Sequence, residues 1–374
     1  VKLPSHQFIT SQTAWQSCLE SLQNQPSIAI DLEANSMYAY RERICLIQIS
    51  IPDQDYIIDP LSVSDLSGLG DIVSNPTVQK VFHAAEYDLL LMKREHHWEL
   101  NNLFDTMWAA RILGYDRFGL ANLLDTVFDI KISKKYQKSN WCKRPLSPEQ
   151  LNYAQHDTHH LLALRDRLKK ELETAGRLVE AQEIFVDQTK VEPNNHDFTP
   201  DSFWSINGVN DLSPQQQAIL KNLTIFRNQA AKKRNQPLFK IFGDKTLLQL
   251  AKDMPKNQHE LRQVHGMSHG QVRRYGKSVL DIIRNSKNDP PPKRPKRTKR
   301  PPEAVICRYE KLHYWRKTRA KKRGVESDVI LSRECLWDIA RQNPHTTDDL
   351  THIETLGNWR RQTYGEEILD VLQK

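Results

Sequence analysis

Apolar, largely β-branched runs recur through the first 200 residues, at 27–32, 44–50, 55–59 and 79–83, and their length and composition predict strands. Short polar connections separate the first three, so they predict a meander rather than a series of crossovers. Helical spacing then takes over at 86–93, 106–113, 120–127 and 148–170. The last of these has a well-marked start. Ser147 and Gln150 form an S-x-x-Q capping box, and Pro148 occupies the first helical position, where its missing N–H costs nothing. Leu161, Leu164 and Leu168 continue an apolar stripe at helical spacing. The front half therefore reads as α/β.

A polar stretch at 192–200 marks a boundary, and beyond it the chain repeats itself. At an offset of 89 residues Leu223 matches Leu312, Arg227 matches Arg316, and Ala231-Lys232-Lys233-Arg234 matches Ala320-Lys321-Lys322-Arg323. The register holds without a gap through Leu247/Leu336, Ala251/Ala340, Tyr275-Gly276/Tyr364-Gly365 and Leu280-Asp281/Leu369-Asp370. A four-residue block and two dipeptides in one frame indicate a duplicated module, and its spacing is helical. Between the copies, 288–302 holds six prolines and alternating Lys and Arg, the composition of an extended basic tether. The expected organisation is 1–200 for the α/β domain, 208–287 and 303–374 for the two helical modules, and 288–302 for the linker.

Charge divides along the same boundary. Residues 1–200 carry 20 basic and 27 acidic side chains, net −7; residues 201–374 carry 34 and 19, net +15. Chemistry in the front and a polyanion grip in the back is the reading this suggests, with Lys232, Lys233, Arg234, Lys321, Lys322 and Arg323 as phosphate contacts. No apolar run approaches the ~20 residues of a membrane-spanning helix, and no charged-then-apolar signal segment opens the chain, so a cytoplasmic protein without membrane contact is expected. The five cysteines (Cys18, Cys45, Cys142, Cys307, Cys335) are scattered without a C-x-x-C pair, which points to buried free thiols rather than a zinc site or disulfides.

Three acidic signals carry candidate chemistry. Asp31 and Glu33 sit at i and i+2 in an apolar strand, so both carboxylates leave one face. Asp88 opens a helix shortly after the strand that ends at His83, and Tyr153 and Asp157 lie at i,i+4 on the capped helix. Taken singly, each reads as a solvated strand end or surface pair. Together, four carboxylates at one site repel, at ~4 kcal/mol per pair 4 Å apart in an effective dielectric of 20, and divalent cations relieve that repulsion. An all-oxygen ligand set favours Mg²⁺ or Mn²⁺ over zinc. His156 and His160 stand at i,i+4 without a nearby third ligand, so they and His159 are expected to be exposed helix histidines rather than metal ligands.

In this order and spacing, Asp31-x-Glu33, His83-x4-Asp88 and Tyr153-x3-Asp157 resemble the three motifs of the DEDD exonuclease superfamily, tyrosine subclass. Phe104-Asp105-Thr106, Ser139-Asn140-Trp141 and Arg144-Pro145-Leu146 extend the likeness toward the ribonuclease D family, and the duplicated rear module is similar to the HRDC domain. The resemblance implies a ribonuclease H-like α/β exonuclease domain followed by two all-α HRDC-like domains. It implies 3′→5′ hydrolysis of RNA to nucleoside 5′-monophosphates with two divalent cations, by a monomer acting on the 3′ ends of tRNA precursors and other structured RNAs. Asp31 would bridge both ions, Glu33 and Asp157 would complete the site of one, Asp88 would support the other, Tyr153 would orient the attacking water, and His83 would help shape the site. A nuclear exosome-type exonuclease and a catalytically inactive RNA-binding protein are the competing readings; retention of all four acids and the tyrosine weighs against the second.

Overall fold

The computed structural model describes residues 3–193, 198–295 and 299–373. Its strands are β1 (Gln7–Ile9), β2 (Ser27–Ala34), β3 (Ile44–Ile51), β4 (Gln54–Ile58), β5 (Gln79–Phe82) and β6 (Leu103–Asp105). They form a sheet of order β1-β4-β3-β2-β5-β6. The β2–β3 and β3–β4 pairs are antiparallel, which gives the expected meander, while β1–β4, β2–β5 and β5–β6 are parallel. Strands β1 and β6 escape the sequence pattern because three residues are too few to establish a period of two.

Seven helices pack around the main core of the sheet: α1 (Gln12–Gln23), α2 (Ser67–Ser74), α3 (Glu86–His96), α4 (Thr106–Leu113), α5 (Leu120–Phe128), α7 (Leu161–Thr174) and α8 (Leu178–Thr189). Their apolar sides and every second strand residue (Ile28, Ile30 and Leu32; Ile47, Ile49 and Ile51; Tyr56 and Ile58) form the main core. Helix α6 (Pro148–His159) lies on the face that carries Asp31 and Glu33, over a smaller cluster of Cys45, Leu46, Ile57, Trp141, Leu146 and Ala154. The capping box at Ser147 and Gln150 is formed. The single helix expected over 148–170 is instead two, broken at His160, and α7 carries Leu161, Leu164 and Leu168 into the main core.

The rear repeats share one design at the 89-residue offset. Helices α9 (Pro214–Arg234), α10 (Leu238–Ile241), α11 (Asp244–Asp253), α12 (Gln258–Gln263) and α13 (His269–Asn285) form the first. Helices α14 (Glu303–Arg323), α15 (Ser327–Ile330), α16 (Arg333–Gln342) and α17 (Asn358–Gln373) form the second. An internal arginine marks the duplication: Arg227 donates to the Phe242 carbonyl at 3.2 Å, and its counterpart Arg316 donates to that of Leu331 at 2.9 Å.

The chain divides into two compact units. Residues 35–43, which connect β2 to β3, belong with residues 194–298, the unit that holds the first repeat. There the Tyr40 hydroxyl donates to Asn228 at 2.7 Å, its backbone N–H donates to Asn235 at 3.1 Å, and the Lys240 ammonium lies 4.3 Å from the centre of the Tyr38 ring. The second repeat belongs with the sheet. Arg323 pairs with the buried Glu180, Arg360 reaches Glu183 and Asp187 at 3.5 and 3.4 Å, and Arg111 reaches Glu326 and Asp328 at 2.6 Å each. At Gly114, where φ is +89°, an added Cβ would stand 2.8 Å from the Gly324 carbonyl oxygen, so the close approach of these two turns requires glycine. Of the linker, residues 296–298, with Lys296 and Arg297, lie outside the described residues, as do 194–197 at the earlier boundary.

Two expectations are corrected. Cys45 and Cys142 form a disulfide with Cα atoms 4.9 Å apart, and of the remaining thiols Cys18 and Cys335 are buried but Cys307 is exposed. Sequence spacing gave no hint of the pairing because 97 residues separate the two cysteines and only the packing of the 136–146 segment on β3 joins them. The helix histidines are not exposed: His156, His159 and His160 are partly buried, with His159 2.8 Å from Asp55. No helix among the described residues is long and apolar enough to cross a membrane.

Glu180→Ala should cost about 3–5 kcal/mol, because it leaves Arg323 largely buried without a counter-ion. Adding Arg323→Ala should recover part of the loss, and thermal unfolding of the single and double variants measures both.

A candidate metal centre on the sheet

Strand alternation fixes the first half of the site. With Ile30 and Leu32 facing the main core, Asp31 and Glu33 face α6. Helix α6 supplies Asp157 and Tyr153 one turn apart. One ligand oxygen each from Asp31, Glu33 and Asp157 lies within 4.8 Å of the others. Asp88, buried in the first turn of α3, stands outside that trio but is close enough to feel the charges of Asp31 and Glu33.

Electrostatics follow from this crowding. Burial drives the Asp31 carboxyl up to about 7, and burial reinforced by Asp31, Asp157 and Asp88 drives Glu33 up to about 10. Asp88 and Asp157 are held well above the carboxylate range by burial and then by Asp31. These groups resist ionisation unless a cation joins them. A donor set of carboxylate oxygens with this much mutual repulsion suits a hard divalent ion.

The residues that hold the acids in place are largely ones that sequence reasoning passed over as chemistry. Asp105, fully buried, caps α4 through the N–H groups of Met107 and Trp108 and also accepts from those of Ala84 and Ala85 at 3.1 and 2.8 Å. It thereby fixes the turn that launches α3 and sets Asp88. An aspartate immediately ahead of a helical pattern is a legible capping signal; its second role as a clamp on a distant turn is not. His83 takes a supporting place, its Nδ1 3.0 Å from the Thr106 hydroxyl, and burial holds it down at about 4, so it is neutral at pH 7. On the other side, Trp141 stacks on Tyr153 with ring centres 5.9 Å apart, and Tyr136 meets the same ring edge-on at 6.2 Å. The loop that carries Trp141 is tied to the sheet by Arg144, which bonds both Asp59 oxygens at 2.7 Å and the Cys45 carbonyl at 2.7 Å. Burial, with Asp157, Glu33 and Asp31, pushes the Tyr153 phenol well above its ordinary value.

Residues 6–173 match the 3′-5′ exonuclease family, and residues 216–283 and 307–372 each match the HRDC domain. The chain thus carries a DEDD-type 3′→5′ exonuclease domain followed by two HRDC domains. Ribonuclease D of Pseudomonas paraeruginosa is 28% identical over 381 residues, covering 100% of this chain and 99% of that protein. The exosome complex exonuclease RRP6 of Saccharomyces cerevisiae is 29% identical over 294 residues, 75% of this chain, which spans 40% of that longer protein. The crystal structure of Escherichia coli RNase D shares the fold, with a TM-score of 0.68, 23% identity and 99% coverage of both chains. With this domain, and with its acidic cluster on the α6 face of the sheet, the protein is a metal-dependent exonuclease.

Of the basic side chains expected to meet phosphate, Lys232, Lys233, Arg234, Lys321 and Lys322 are exposed. Arg323 is not available: it is held by Glu180 and by the Tyr364 hydroxyl at 3.0 Å.

Two outcomes follow from the repulsion. An acid whose pKa is raised on folding is held protonated more tightly by the folded chain, so the stability it confers is greatest at low pH and is lost as pH rises through the folded value. Without divalent ions the thermal midpoint should therefore fall as pH rises from about 5 to 8, the range that brackets Asp31 at about 7, and Mg²⁺ should reduce the fall. A metal-free midpoint that is flat or rises over that range contradicts the assignment. Asp31→Asn should lower turnover by about 10²-fold or more at saturating Mg²⁺ while raising the metal-free midpoint, as parallel kinetics and calorimetry on the two proteins will read.

Proposed function

We propose that the protein is a 3′→5′ exoribonuclease that shortens structured RNAs, tRNA precursors among them, one nucleotide at a time. The convergence of Asp31, Glu33 and Asp157 within 4.8 Å, beside Tyr153, carries this reading. Two divalent cations, Mg²⁺ or Mn²⁺, held by Asp31, Glu33, Asp88 and Asp157, would supply charge neutralisation at the scissile phosphate and a water of lowered pKa. Water oxygen bonds to phosphorus, the P–O3′ bond breaks, and the products are a nucleoside 5′-monophosphate and an RNA ending in a new 3′-hydroxyl.

In this scheme Asp31, Glu33 and Asp157 would hold one ion, and Asp88 would help to hold the other. Tyr153 keeps its proton, because its surroundings oppose ionisation. It therefore serves as a hydrogen-bonding guide for the attacking water and not as a base. Trp141 and Tyr136 hold its ring to one orientation, and His83, neutral and bonded to Thr106, braces the floor of the site. RNA is the substrate favoured by the likeness to ribonuclease D and by the basic rear of the chain, where Lys232, Lys233 and Arg234 end α9 in an exposed cluster. Lys321 and Lys322 offer a second, smaller one. The E. coli protein that shares this fold is an exoribonuclease involved in structured RNA processing.

A 5′-labelled RNA with a duplex stem and a 3′ tail tests the reading. Single-nucleotide shortening from the 3′ end with release of 5′-monophosphates in Mg²⁺ is expected, and internal cuts or no metal-dependent product would sink it. Tyr153→Phe keeps the ring packing and should lower kcat by about 10²-fold with little change in metal affinity; an unchanged kcat removes the hydroxyl from the reaction. Replacing Lys232, Lys233 and Arg234 together by Ala should raise KM on the stem-bearing RNA. It should also flatten the slope of log K against log salt by ~0.7 for each phosphate that the variant no longer neutralises, which titrations at several salt concentrations will measure.

A further inference from the structure

Strand β3 is buried along its whole length, and among its residues Gln48 is the chemical outlier. Its neighbours on the same face have defined tasks. Leu46 packs with Trp141 and Ala154, and the Ser50 hydroxyl meets Asp55 at 2.6 Å and Thr158 at 2.8 Å. Gln48 lies between them with no exposed surface, and neither its Oε1 nor its Nε2 has a hydrogen-bond partner within the protein. A buried amide left unpaired costs about 1–3 kcal/mol, which a leucine or methionine at the same place would avoid. The register shows what the amide stands next to: Gln48 is the cross-strand partner of Asp31 on one side and of Ile57 on the other. Directly opposed antiparallel residues have Cβ atoms about 4.5–5.5 Å apart on the same face, a separation that a glutamine side chain spans.

We propose that Gln48 is a positioning residue of the acidic centre, its amide N–H donating to the Asp31 carboxylate when divalent cations are held there. This rests on the metal-dependent reading of the site. The amide would fix which way the Asp31 carboxylate is turned, leaving the opposite oxygen edge to the ions, and it is itself satisfied only in the loaded state. The stability cost in the metal-free protein and the gain on loading are then two sides of one arrangement. A glutamine that merely filled the core would show the cost without the gain on loading.

Gln48→Met and Gln48→Leu delete both polar atoms and keep a buried apolar side chain of similar volume. Three readouts on the full chain separate the outcomes: the metal-free thermal midpoint, Mn²⁺ affinity by electron paramagnetic resonance, and kcat and KM on single-stranded RNA. Both variants should match or exceed the wild-type midpoint without metal, bind Mn²⁺ about 10-fold more weakly, and lose kcat with little change in KM, in line with the usual effect of removing a partner of a metal ligand. Wild-type Mn²⁺ affinity in a folded variant overturns the proposal, and so does a metal-free midpoint lowered in both, which would make the amide a structural element. If the wild-type protein itself fails to bind Mn²⁺, the metal-dependent reading falls first and the inference falls with it.

Discussion

Packing four carboxylates into one corner of a sheet is unfavourable, and much of the front half is arranged to hold them there. Mutual repulsion and burial both work to disperse or neutralise Asp31, Glu33, Asp88 and Asp157. Each therefore sits on an element whose position is fixed by something other than the acid itself. Strand β2 is hydrogen-bonded on both sides, Asp105 clamps the turn into α3, and the capping box starts α6 at a defined residue. The Arg144–Asp59 pair anchors the loop whose Trp141 bears on Tyr153. The frame is stable enough to confine charges that would separate if the backbone were free to move, and that confinement is what makes the corner attractive to a divalent ion.

The two rear repeats show how duplication can preserve a fold and divide its tasks. Each keeps its internal arginine on the same backbone carbonyl. The matching basic ends of their first helices have diverged in use. In the first copy all three cations face solvent; in the second, the arginine turns to Glu180, and Arg360 and Arg111 add further links within the unit that contains the sheet. A surface that is equally basic by residue count is thus a solvent-facing cluster in one copy and partly a seam in the other.

How much of this was legible follows from the range of the interactions concerned. Four of the strands, the meander, the capped start of α6 and the 89-residue repeat are local or periodic, and residues close in sequence carry them. The acidic site was legible as motifs, because D-x-E on a strand and Tyr-x3-Asp on a helix each specify a shared face. The break at His160 was hidden, since the apolar stripe runs on across it. So were the Cys45–Cys142 link, the clamp by Asp105 and the capture of Arg323, which depend on partners 97, 21 and 143 residues away. Gln48 looked like one polar letter in an apolar word, and only the register of β2 on β3 set it against Asp31.

The contact between Glu180 and Arg323 also has a meaning in time. A ribosome adds residues in order at ~5–20 per second, so the 143 residues between the two partners take about 7–30 seconds to appear. During that interval the sheet and its helices are complete while Glu180 still lacks its cation, and the acidic side of α8 stays uncovered until the last repeat emerges. The nuclease unit therefore draws on distant parts of the chain: the sheet and its helices wait for the second repeat, and a message interrupted between them leaves a half-built enzyme with an open charge at its edge.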